Sequence, residues 1–242
     1  SPDQIAGTTS RASSSLQELL EKFSDKQPVE FGIYVKHLVT GEQAGYQTQQ
    51  VFRSASLYKL FVAHQVYREV DKGNIKSLQP SGVKNKSVGQ CLSEMISVSD
   101  NPCGHALGAL VQWQQPMPEL EKLGFNSTRL DGEYPQTNAR DVARLFQYLY
   151  SGGSLSDPSR QDFMTLLRKQ QIRDRLPIGL PPGTVIAHKT GYLEGYTHDA
   201  GIVYGPNGPY IMVILSGPWP QPPTSGNSSI GDISRQVYDY FN

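Results

Sequence analysis

The sequence predicts an α+β protein, α/β in the broad sense: a five-stranded antiparallel sheet carrying packed terminal helices, plus an all-helical lobe. Three observations predict it. A segment with helical apolar spacing lies at each end of the chain. Two strand-like runs follow the first of these, and three precede the last. The long block between them has its apolar residues at helical rather than alternating spacing.

Taken in order, Leu16, Leu19, Leu20 and Phe23 recur on one helical face after a serine run suited to capping, and Pro28 limits that helix. Phe31 to Val35 reads as a strand, Thr40-Gly41-Glu42 as a turn, and Ala44 to Val51 as the returning strand. A long helix is expected from Ser56 to the glycine stop at Gly73. Shorter helices follow over Val88 to Val98, through Leu107 and Leu110 after the break at Ser99-Asp100-Asn101-Pro102, and over Pro116 to Leu123. Asn138 to Tyr150 places Val142, Leu145, Phe146 and Leu149 on one side and stops at Gly152-Gly153. Pro177 to Gly183 reads as a rigid connector. Thr184 to His188, Thr197 to Tyr204 and Tyr210 to Leu215 read as strands, with Pro206-Asn207-Gly208-Pro209 as a tight turn between the last two. Pro218, Pro220, Pro222 and Pro223 mark a constrained loop, and Ser228 to Phe241 closes the chain as a helix. The expected organisation is a flexible leader over 1–13 and one domain over 14–242, with an α/β lobe from 14–55 and 184–242 and a helical lobe over 56–183.

Of the 242 residues, 22 are Lys or Arg and 22 are Asp or Glu, so the chain offers no general attraction to nucleic acid or an anionic membrane. No window is apolar enough to read as a transmembrane segment. Two cysteines without a histidine pair at ligand spacing do not make a zinc site, and no metal or organic cofactor is expected. Cys91 and Cys103 can form a disulfide or remain two buried thiols, and the sequence leaves both open.

Three short motifs carry the chemistry. Ser56-Leu57-Tyr58-Lys59 places a hydroxyl and an amine three residues apart, on one face of a helix start. A serine hydroxyl needs a neighbouring base to attack at neutral pH, and a lysine kept neutral by its surroundings is one. Ser99-Asp100-Asn101 lies at an interhelical break, where a hydroxyl can relay a proton and an amide can hold a carbonyl. Lys189-Thr190-Gly191 lies at the end of a predicted strand, where a cation and a hydroxyl can face a carboxylate and glycine lets a substrate backbone approach. Each has an ordinary reading when taken alone: a helix cap, a turn, a charged sheet edge.

In this order and on these local structures, the three motifs resemble those of the class A β-lactamases and penicillin-binding proteins. Gly179-Leu180-Pro181 and His198-Asp199-Ala200-Gly201 add to the likeness, which extends over nearly the whole chain. The resemblance implies a β-lactamase/transpeptidase-like fold and a serine hydrolase that forms an acyl-enzyme. Ser56 would be the nucleophile, Lys59 its proton acceptor, and Ser99 the proton donor to the departing nitrogen. Asn101 would hold a side-chain amide of the substrate, and Lys189 and Thr190 its carboxylate, with Gly191 at the strand edge. The backbone amides of Ser56 and Tyr192 would form the oxyanion hole. Arg175 stands where some relatives carry a second carboxylate-binding cation, with a plain surface arginine as the alternative. His188 and His198 are read as structural. The implied partner is a small-molecule β-lactam or a D-alanyl peptide. The implied setting is extracytoplasmic, periplasmic, secreted or at the bacterial cell surface, which would favour pairing of the cysteines. A monomer is expected.

The likeness weakens at one place. Class A β-lactamases hold the deacylating water with a glutamate in an omega-shaped loop. Here Thr128-Arg129-Leu130-Asp131 resembles the entry to that loop and Asn138-Ala139-Arg140-Asp141 the helix after it, leaving only 132–137 between them. Glu133 is the sole carboxylate in this short connector, and is either a water-activating base or an exposed turn residue. Acylation is therefore expected, with deacylation uncertain or slow. The alternatives are a D,D-peptidase acting on peptidoglycan stem peptides and a protein that is acylated without turnover.

Overall fold

A computed structural model describes residues 15–220 and 224–242. The chain runs through α1 (Leu16–Ser24), β1 (Glu30–His37), β2 (Gln43–Tyr46), β3 (Phe52–Arg53) and a 3-10 turn (Ala55–Leu57) into α2 (Tyr58–Asp71), α3 (Val88–Ser97), α4 (Asn101–Leu110) and α5 (Pro118–Lys122). There follow β4 (Gln136–Thr137), α6 (Ala139–Ser151), α7 (Asp157–Arg168), a second 3-10 turn (Leu176–Gly179), β5 (Val185–Leu193), β6 (Tyr196–Gly205), β7 (Gly208–Gly217) and α8 (Thr224–Phe241). The leader expected over 1–13, and two of the four clustered prolines, Pro222 and Pro223, lie outside the described residues.

The two early and three late strands form one antiparallel sheet, as the sequence predicts, in the order β2-β1-β7-β6-β5. Joining β1 to β7 brings the first and last strands together, with Ile33 opposite Ile214. The β6–β7 hairpin closes on the Pro206-Asn207 turn, with Gly205 opposite Gly208. One sheet face packs on the terminal helices: Leu16, Leu20 and Phe23 of α1 and Ile230, Ile233 and Val237 of α8 bury against Phe31, Ile33, Met212 and Ile214. Ser15 starts α1 by accepting a hydrogen bond from the Glu18 amide. The other face, through Ala200, Ile202, Ile211 and Val213, joins the larger core of the helices between. At its centre is α2, whose residues from Tyr58 to Tyr67 are all buried, the pattern of a helix with neighbours on every side.

The structure differs from the sequence-based expectations at four places. The long helix starts at Tyr58, because Ser56 lies in a 3-10 turn. The second strand ends at Tyr46, and residues 52–53 instead pair with β4 in a separate two-stranded sheet. Lys189-Thr190-Gly191 lies within β5, which continues to Leu193. A whole helix, α7, is absent from the sequence-based assignment. Its signals were present: Ser156 caps it, Pro158 occupies its first turn, and Phe163, Leu166 and Leu167 repeat on its buried side.

Cys91 of α3 and Cys103 of α4 form a disulfide. Both are fully buried, and they bracket the turn at Ser99-Asp100-Asn101. The bond closes a short loop, for which chain entropy alone gives about 2–3 kcal/mol of stabilisation. The Cys91→Ala/Cys103→Ala double variant should lose about that much unfolding free energy in a denaturant titration. An unchanged midpoint would show that helix packing alone holds the turn.

Candidate active site

Ser56 is half-buried in the 3-10 turn that feeds α2. Neither helical segment here has a side-chain cap, so Ser56 is not the capping residue of its ordinary reading. A 3-10 turn eclipses positions i and i+3. That stacks the Lys59 amine beside the Ser56 hydroxyl, with Nζ 3.3 Å from Oγ. Ala55, just before Ser56, has a φ of +46°. A non-glycine residue in the left-handed region costs about 1 kcal/mol or more, which the surrounding packing must offset.

The Lys59 side chain is fully buried. Its Nζ donates to Ser99 O at 2.6 Å and to Asn101 Oδ1 at 2.7 Å, and stands 3.2 Å from Ser99 Oγ. This set of neighbours suits a neutral amine: two N–H groups go to the two strong acceptors, and the lone pair is left for a hydroxyl proton. Burial lowers the Lys59 pKa to about 8, against the opposing pull of the Asp100 carboxylate. A displacement of that size corresponds to roughly 3 kcal/mol in favour of the neutral form. Gly104 of α4 makes the room, since a Cβ there would lie 2.9 Å from Lys59 Cε. Neither Gly104 nor the disulfide carries a sequence signal that ties it to this lysine, because both act through the meeting of α2, α3 and α4.

Ser99 occupies the α3–α4 break with a φ of +61°. Asp100 caps α4 by accepting from the Cys103 amide at 2.8 Å. Asn101 Oδ1 is taken by Lys59, which leaves its NH2 group as the donor. From the opposite side, Lys189 of β5 donates to Ser99 Oγ at 2.9 Å and to Thr190 O at 2.8 Å. Lys189 is fully buried, and burial together with the nearby Lys59 charge drives its pKa well down. Ser99 Oγ therefore sits between two lysine nitrogens.

Gly191 brings β5 against the turn that carries Ser56. A Cβ at this position would lie 3.2 Å from Ser54 O and 3.3 Å from Ala55 Cβ. The next residue, exposed Tyr192, pairs with Thr197 of β6. Arg175 is buried, which replaces its reading as a surface arginine: its Nε donates to Thr197 Oγ1 at 2.7 Å and its Nη1 pairs with Asp174. His188 pairs with buried Asp199 at 2.9 Å, and Asp199 also accepts from the Leu176 amide. His198 bridges Arg53 O and the Ser216 amide, and burial lowers its pKa to about 4. These contacts place both histidines in the frame of the sheet, outside the Ser56–Lys59–Ser99 cluster.

The short connector lies beside the turn that carries Ser56. Ser54 N donates to Pro135 O at 2.8 Å, and Arg53 pairs with Gln136 across β3 and β4. The Arg53 guanidinium stacks on Tyr134, 3.8 Å from the ring centre, and its Nη1 is 2.7 Å from Glu194 in the β5–β6 turn. Glu133 is exposed. Among the described residues, no carboxylate hydrogen-bonds to Ser56, Lys59 or Ser99.

A family model described as the beta-lactamase enzyme family matches residues 11–241. A β-lactamase of Streptomyces cellulosae is 22% identical over 255 residues, covering 91% of this chain and 82% of that protein. Among solved structures, a penicillin G acyl-enzyme complex of a PBP-A mutant is 26% identical, with a TM-score of 0.81, covering 93% of this chain and 97% of the other. An ancestral class A β-lactamase shares the fold at 22% identity and a TM-score of 0.82, covering 94% and 100%.

Asp100 opposes the effect of burial on Lys59, and asparagine can keep the helix cap. Asp100→Asn should therefore move the Lys59 titration below about 8, read from the 13C shift of its Cε. An unmoved or raised midpoint would refute this account of the lysine's electrostatics.

Proposed function

The chain belongs to the beta-lactamase enzyme family, within the superfamily of class A serine β-lactamases and penicillin-binding proteins, and from this membership we propose that it is a serine hydrolase acylated by β-lactams at Ser56 and slow to deacylate. The observation that carries the reading is the Lys59 amine, at hydrogen-bonding distance from both Ser56 and Ser99.

With its pKa near 8, about a tenth of Lys59 is neutral at pH 7, against fewer than about one in a thousand for an ordinary lysine. Neutral Lys59 takes the Ser56 proton as Oγ attacks the lactam carbonyl. The oxyanion is received by the backbone amides of Ser56 and Tyr192, a role supported by the close approach of β5 to the Ser56 turn at Gly191. Ser99 passes a proton to the leaving nitrogen and is resupplied by a lysine beside it. The Asn101 NH2 group holds the substrate's side-chain carbonyl. Thr190 and the Arg175 guanidinium receive its carboxylate, with the Lys189 amine as a hydrogen-bond donor beside them.

Slow deacylation follows from the connector. Its single carboxylate, Glu133, is exposed, and the bond from Ser54 to Pro135 fixes the following backbone beside β3. The same feature favours a second reading, a D,D-peptidase that forms the same acyl-enzyme from a stem peptide. The likeness to a PBP-A mutant solved as an acyl-enzyme with penicillin G is consistent with either reading. Either substrate is met outside the cytoplasm, and the Cys91–Cys103 bond fits an oxidising compartment.

Mixed with a penicillin, the protein should gain the mass of the intact drug on Ser56, and the adduct should outlast the mixing time. Its rate of formation should rise with pH through about 8, as Lys59 loses its proton. Ser56→Ala should form no adduct. A drug mass that persists in this variant, or neither adduct nor hydrolysis in the parent, would overturn the assignment. Release of D-alanine from a stem-peptide mimic would select the peptidase reading.

Glu133→Gln should leave the lifetime of the adduct unchanged. A marked lengthening would return Glu133 to the role of water-activating base.

A further inference from the structure

At the sheet edge far from β5, a cleft of about 430 Å³ opens between α6 and the β1–β2 pair. Lys36 of β1 and Arg140 and Arg144 of α6 converge there, and no carboxylate lines it. Tyr34 and Lys36 are two apart on β1 and so share a face, and Arg140 and Arg144 are four apart on α6 and so share another. In a chain with equal numbers of acidic and basic residues, three cations together without an acid are a local feature rather than a consequence of composition.

The hydrogen-bonding inventory of the cleft is one-sided. None of the ion pairs among the described residues involves Lys36, Arg140 or Arg144. Arg144 Nε is buried without a hydrogen-bond partner. The Arg144 guanidinium is nonetheless held, packed over Gly124, where a Cβ would lie 3.0 Å from its Cζ. Gln43 Oε1 is occupied by the Tyr34 hydroxyl at 2.9 Å, which leaves the Gln43 NH2 group as the donor. The Tyr148 hydroxyl is spent on Leu123 O. Burial raises the Tyr34 pKa while Arg140 and Arg144 oppose it, so both guanidinium charges are felt inside the cleft. The open charged groups are thus an ammonium and two guanidiniums, and with the Gln43 NH2 group and the Gln147 amide beside them donors outnumber acceptors.

We propose that this cleft is a binding site, separate from the Ser56 centre, for a compact phosphate-bearing anion. A single carboxylate would leave most of the charge unmatched. A phosphate group offers two negative charges and several acceptor oxygens to two planar forks and a point charge. The phosphate belongs either to a small soluble molecule or to a lipid headgroup.

Calorimetry with pyrophosphate at low salt tests the soluble source, and co-sedimentation with phosphatidic acid vesicles, whose headgroup is a phosphate monoester, tests the lipid source. The expected result is saturable binding in one arm, weakened about tenfold or more by Arg144→Gln and further by Arg140→Gln/Arg144→Gln. Citrate should bind more weakly than pyrophosphate. Acylation of Ser56 by a penicillin should be unchanged in both variants, which serves as the check on folding. Failure to bind in both arms, equal binding by the parent and the double variant, or citrate binding as tightly as pyrophosphate would overturn the proposal.

Discussion

Burial of the Lys59 amine is the constraint on which the rest of the site depends. An ammonium cannot be taken out of water without compensation, so the surrounding chain must supply acceptors or the group must give up its proton. Both happen here. Ser99 O and Asn101 Oδ1 accept from the nitrogen, and its pKa is brought to about 8. One atom therefore ties the start of α2 to the α3–α4 turn and is itself tuned by that junction. Ser99 is held in a left-handed conformation at the same place, and the disulfide clamps the two helices on either side of it.

The sheet and the helices divide the work. The helical lobe and its turns supply Ser56, Lys59 and Ser99, the residues proposed as nucleophile, base and relay hydroxyl. β5 supplies the opposite wall, and Lys189 reaches across to Ser99 from it. Two lysines close to one hydroxyl repel each other, and part of the lowering of the Lys189 pKa comes from the Lys59 charge. Asp199, behind β5, opposes that lowering. Asp199 in turn engages His188 and the Leu176 amide, so the second 3-10 turn also supports β5.

The short connector makes the site asymmetric. Everything proposed for acylation comes from elements with buried cores and short hydrogen bonds. The side that would deliver water is a six-residue connector between Asp131 and Asn138, pinned through Pro135 and stacked through Tyr134 on Arg53. The Arg53–Glu194 pair then links this connector to the β5–β6 turn. Half-exposed ion pairs contribute little stability, but this one joins two segments far apart in the chain.

The sequence by itself determined the sheet, the terminal helices, most of the helical lobe and the identity of the three motifs. Apolar periodicity, glycine stops and the i, i+3 relation of Ser56 and Lys59 are local properties, and local patterns survive in one dimension. Expectations went astray where pairing or packing is long-range. Residues 52–53 pair with 136–137, and β5 runs through its motif because β6 continues beside it; α7 is a different case, since its cap and buried repeat are local signals. Only the tertiary structure decided that Arg175 is buried, that the cysteines pair, that Gly104 makes room for Lys59, and that Glu133 is exposed. The physical reason is common to all of them. Burial, desolvation and the distance between groups far apart in the chain are set by how elements meet, and residue identity does not encode that at any single position.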